Sequence, residues 1–186
     1  MRTYLMAALL AAAFPVIAAD PAWVREARTV AGSVPPKLLA MLVEEIGKGG
    51  PEGAIVVCRE KAPQLAKAAS EATGWNIRRV SLKNRNPKAV PDAWERVALE
   101  DFDRRAAAGE APATLEKAEL VREGDRNVYR YMKALPVQEL CVACHGPADR
   151  LSPAGKSELK ARYPDDKATG YTPGQVRGAI TIRKSA

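Results

Sequence analysis

The stretch AELVREGDRNVYRYMKAL, residues 118–135, decides the fold class. Ala118 to Arg122 and Asn127 to Leu135 are short runs with apolar residues at alternating positions. Between them Glu123-Gly124-Asp125 supplies turn chemistry, so the stretch predicts an antiparallel hairpin. Working outward, Gly178 to Arg183 reads as a last strand and Ile77 to Leu82 as an earlier, short one. Helices are expected from Pro36 to Lys48, from Glu52 to Thr73 on either side of a bend at Pro63, and from Pro91 to Ala108. Pro91 suits a first turn and Gly109 a helix end. Helices first and several antiparallel strands later make an α+β pattern.

The hairpin leads to Cys141-Val142-Ala143-Cys144-His145, followed directly by Gly146 and Pro147. The chain has three cysteines and one histidine, and this pentapeptide uses two of the former and the only one of the latter. Two thiols and an imidazole in one turn form a haem c attachment site: each thiol reaches a vinyl group of one porphyrin, and the next residue offers its ring to the iron. Three other readings compete. A thioredoxin-like pair belongs in a βαβ unit, a zinc site needs four ligands with only Cys58 left to complete it, and a simple disulfide leaves the histidine unexplained. One motif means one covalently attached haem c, with Cys141 and Cys144 as anchors and His145 as proximal ligand. Multihaem electron wires are excluded.

The chain has 186 residues, of which 47% are hydrophobic and 27% charged, the profile of one folded domain. Residues 1–19 open on Met1-Arg2, run apolar from Leu5 to Ala13 and end in Ala18-Ala19, which reads as a cleaved signal peptide. A membrane anchor is the alternative, but the run is shorter than the roughly 20 apolar residues a bilayer needs. Residues 20–186 are then the mature domain, periplasmic or secreted, with no later stretch apolar enough to span a membrane. Loss of Arg2 takes the formal charge from +7 to +6. Scattered basic residues without aromatic platforms argue against nucleic acid and for a solvated surface facing an acidic redox partner protein.

With one histidine, both axial positions cannot be filled by imidazoles of one chain. Met41, Met132, Cys58, a lysine or water remain for the sixth position. Met41 falls in an amphipathic helix and reads as core filling. Met132 lies in the strand before the motif, where it lines a pocket without binding iron. Cys58 is the odd thiol out in an oxidising compartment, which leaves three readings: a buried core residue, an iron ligand, or half of an intermolecular disulfide.

The segment around Cys58, the phrase Ser81 to Pro87 leading to Pro91-Asp92-Ala93-Trp94-Glu95, the Cys141–Gly146 site and the tail Tyr163 to Tyr171 with Gly178-Ala179-Ile180 together resemble one family. It is the PAS-like haem c family, long catalogued as a domain of unknown function, which includes NaxLS-type cytochromes. The resemblance covers most of the mature chain. It implies a PAS-like antiparallel sheet with N-terminal helices and a covalently bound haem. It also implies Cys58 as the distal thiolate opposite His145, and a homo- or heterodimer. The Asn84–Pro87 and Asp165–Tyr171 phrases have no chemical role assigned by it and read as turn and pocket wall.

An axial thiolate cancels the positive charge of ferric porphyrin, so reduction leaves net negative charge in a low-dielectric site, and the expected potential is low. Arg59, next to Cys58, would soften that effect. Two functions follow: low-potential electron transfer to a partner, or a haem-based redox or gas module taking CO or NO once the sulfur releases the iron. Haem enzymology has weaker grounds, since no distal histidine stands ready as an acid or base.

Overall fold

A computed structural model describes residues 19–186. The expected leader lies outside the described residues except for Ala19, and among those residues no helix is long and apolar enough to cross a membrane. Helix α1 (Ala22–Gly49) turns at Gly50 into α2 (Pro51–Thr73), and strand β1 (Asn76–Val80) follows. Helix α3 (Ala93–Ala107) leads to β2 (Glu116–Glu123) and β3 (Arg126–Pro136). The one-turn α4 (Val142–His145), then α5 (Pro153–Arg162) and β4 (Val176–Ser185), complete the chain.

The predicted hairpin is present, with Val121 opposite Val128 across the Gly124 turn. The four strands form one antiparallel sheet in the order β1-β4-β3-β2, so the fold class is α+β as expected. The last strand takes the centre of the sheet, and its Gly178 shows why. A side chain there would meet the Val80 carbonyl oxygen of β1 at 2.3 Å, so only glycine permits that close approach.

Three expectations about the helices need correction. Helix α1 begins at Ala22, fourteen residues before Pro36, and Pro35 and Pro36 lie inside it. Its first half carries Val24, Ala27, Val30, Ala31 and Val34 on one buried stripe, a helical spacing that outweighs the proline penalty of about 3 kcal/mol. Pro63 likewise lies within an unbroken α2. Met41 is an exposed side chain, because α1 beyond Val34 runs past the sheet and buries nothing fully. Helix α5, capped by Ser152 with Pro153 in its first turn, was not expected at all.

Strand alternation divides the interior into two cores. On one face the α1 stripe packs against Trp75, Ile77, Tyr131, Ile180 and Ile182. On the other, Ala98, Leu99 and Phe102 of α3 cover Val80, Met132, Ala134 and Ala179. Helix α3 is closed at its start by a reciprocal cap. Asp92 Oδ1 accepts from the Glu95 amide at 2.9 Å, and Glu95 Oε2 accepts from the Asp92 amide at 2.8 Å.

Candidate functional site

Tyr131 and Met132 are neighbours in β3, so they face opposite ways. Met132 therefore belongs to the α3 core and lines no part of the region around Cys58, which corrects its expected place in the pocket. Beside it Arg78, Asp92, Glu95 and Thr181 line a groove and satisfy one another. The cysteines and the histidine lie elsewhere.

Helix α4 carries the motif. Its turn leaves Cys141 packed with Val142 beside Val137, Ala168 and Tyr171, and Cys144 beside Ile55, Leu151, Leu159 and Tyr163. Gly146 ends the turn for a steric reason: a Cβ there would lie 2.6 Å from the Val142 carbonyl oxygen. All three cysteines are free, half-buried thiols, which sets aside a Cys141–Cys144 disulfide. Among the described residues no cluster of three or more His, Cys, Asp or Glu side chains forms a metal site of the zinc type.

The segment Asp165–Tyr171 holds the imidazole. His145 Nδ1 lies 2.8 Å from the Ala168 carbonyl oxygen, and the Tyr171 amide donates to the His145 carbonyl at 2.9 Å. The Gly170 amide donates to the Gly146 carbonyl at 2.8 Å, and the Tyr171 ring stands edge-on to the imidazole. Arg177 Nε also approaches Nδ1, at 3.2 Å. The two contacts demand opposite protonation of that nitrogen, and the shorter one decides. Nδ1 carries the hydrogen and gives it to Ala168, which leaves the Nε2 lone pair for a ligand to take. Burial holds the His145 pKa well below its ordinary value, helped by Arg177, Arg85 and Arg79, so the ring is neutral.

The Asn84–Pro87 phrase supplies the brace. Buried Arg85 donates to the Cys144 carbonyl at 2.6 Å and pairs with Asp166 at 3.0 Å. Asp166 in turn accepts from the Ala168 amide at 2.8 Å, fixing the carbonyl that orients His145. Both unassigned phrases thus converge on the motif, one as backbone clamp and one as charged strut.

Cys58 sits in α2 within electrostatic reach of Cys141 and of three arginines. Burial pushes its thiol pKa up, while Arg79, Arg85 and Arg177 pull it down, Arg79 the most. Burial also raises Cys144, to about 11. Arg59 is exposed and turns toward the Tyr163 ring, so the expected softening charge is not the sequence neighbour. Arg79 and Arg177 escape the sequence reading, while Arg85 and Tyr171 fall in the two phrases it assigns only to turn and pocket wall. One signal for Arg79 was available: it shares strand parity with buried Ile77, where a cation is out of place.

The donor set suits a covalent haem: two free thiols one turn apart, an imidazole with Nε2 free, and a third free thiol on α2. The family model described as Tll0287-like matches residues 8–185. The chain belongs to the Tll0287-like family. Within it, the crystal structure of the cyanobacterial haem protein Tll0287 superposes with a TM-score of 0.66 at 27% identity, covering 88% of this chain and 95% of that one. No curated protein matches the chain.

Proposed function

We propose that this Tll0287-like chain is a haem-binding protein, and more narrowly an exported, PAS-like c-type cytochrome with one haem and His145/Cys58 axial ligation. Its role is low-potential electron transfer to a redox partner protein. The observation that carries this reading is the 2.8 Å contact between His145 Nδ1 and the Ala168 carbonyl, which presents Nε2 as a ligand beside two free thiols. Similarity to a haem protein over most of the chain supports it.

Cys141 and Cys144 would anchor the haem, and His145 and Cys58 would take the two faces of its iron. The bound haem supplies a one-electron couple. The residues around it do the rest. Ala168 makes the imidazole more basic and fixes its plane, and Arg85 with Asp166 hold Ala168 in place. The Cys58 sulfur, set in a half-buried position of α2, disfavours reduction by its negative charge, and Arg79 opposes it.

Two measurements test this. Protein exported with its haem should keep the haem absorbance after denaturation, since thioether bonds survive unfolding; haem lost on denaturation contradicts covalent attachment. Cys58→Ala should convert the ferric EPR spectrum, and Cys58→Met should raise the potential. Unchanged spectra in both variants would remove Cys58 from the iron.

A further inference from the structure

Eight arginines among the described residues are buried or half-buried. Six of them, Arg28, Arg78, Arg85, Arg105, Arg130 and Arg162, pair with a carboxylate. Arg79 and Arg177 do not. Arg177 is 5% exposed and gives one amino group to Ser81 Oγ at 2.9 Å and to the Lys83 carbonyl at 3.2 Å, both neutral. Among the described residues Arg79 meets no acceptor. It is half-buried by area, yet deep enough that desolvation lowers its pKa, and burial brings Arg177 down to about 9 with Arg79's charge adding to the effect.

A guanidinium as buried as Arg177 and without a counter-ion is destabilising, and the charge of Arg79 adds to that cost. The pair also lies at the site: Arg177 touches the His145 ring, and Arg79, opposite Ile180 in the sheet, is near enough to Cys58 for its charge to lower the thiol pKa. The nearest acid, Asp166, pairs directly with Arg85 and reaches Arg177 only at a distance. The site is left with two arginines and no carboxylate paired to either.

We propose that Arg79 and Arg177 receive the two propionate carboxylates of the haem, so that this end of the pocket is a built anion cradle. This rests on the haem reading above. A planar guanidinium takes a carboxylate through two parallel N–H groups, which positions the porphyrin edge as well as neutralising it. With Cys141 and Cys144 anchoring the vinyl edge, such a cradle would hold the opposite, propionate-bearing edge of the ring.

The test uses the haem-loaded full chain with Arg79→Gln, Arg177→Gln and the double variant. Haem content by pyridine haemochrome, the propionate bending band in resonance Raman, ferric EPR and the reduction potential are measured on each. Haem should stay attached, the propionate band should shift in each single variant and further in the double, and the potential should fall as positive charge is lost. EPR should keep the parent axial signals. A propionate band unmoved in both variants overturns the cradle, and if EPR changes instead, the arginines serve the Cys58 sulfur. Absence of haem in the parent protein would sink the haem reading itself, a separate result. If a glutamine variant does not fold, Arg79→Lys and Arg177→Lys keep the charge but lose the fork, and an unmoved band in them counts equally against the proposal.

Discussion

The two faces of the sheet are built on different terms. The α3 face is closed by its own side chains: Ala98, Leu99, Phe102 and Met132 are all at or below 1% exposure, and the charges at its edge pair within the network around Glu95. The α2 and α4 side holds three free thiols, a neutral histidine and two arginines without acids. A self-sufficient core needs only packing. The other side gathers groups that would suit a ligand able to bond sulfur, take a nitrogen lone pair and bring negative charge. The contrast separates what holds the fold from what the fold is for.

That contrast breaks most completely at the motif. Replacing Cys141 and Cys144 together by Ser should abolish covalently attached haem, read as loss of haem stain on a denaturing gel, while the far-ultraviolet circular dichroism keeps its α+β shape. Phe102→Ala should do the reverse. Emptying its place in the α3 core is expected to cost about 4 kcal/mol in denaturant unfolding, with the haem spectrum of the surviving folded protein unchanged. If the haem spectrum moved with Phe102, the two faces would not be independent.

A third change joins the two terms. Asp166→Asn leaves Arg85 buried without its acid and is expected to destabilise the protein by about 3 kcal/mol. Because Asp166 also holds the Ala168 amide, the His145 plane should loosen, broadening the ferric EPR signals. The smallest effect is at the cap of α3, where Asp92→Ala should cost about 1 kcal/mol and leave every spectroscopic property in place.

Much of this was legible in the chain before folding. The hairpin could be read because alternation and a glycine turn are local signals, and the end of α3 because Gly109 is local too. The first half of α1 was misjudged because Pro36 read as a helix start; the stripe from Val24 to Val34 becomes decisive only once Trp75 and Ile180 pack against it. Pro63 was read as a break for the same kind of reason: a local penalty was weighed without the packing that outweighs it.

The site divides along the same line. By itself the sequence determined that Cys141, Cys144 and His145 lie within five residues of one another, since chain connectivity is a covalent constraint that no packing can alter. It also determined that Cys58 lacked a partner. Only the tertiary structure decided which nitrogen of His145 is free, that the charges of Arg79, Arg85 and Arg177 reach Cys58 while Arg59 turns toward Tyr163, and that Met132 faces away. Those facts depend on contacts between segments up to about a hundred residues apart, such as Ser81 with Arg177, and such contacts are set by the burial of whole elements and not by neighbours along the chain.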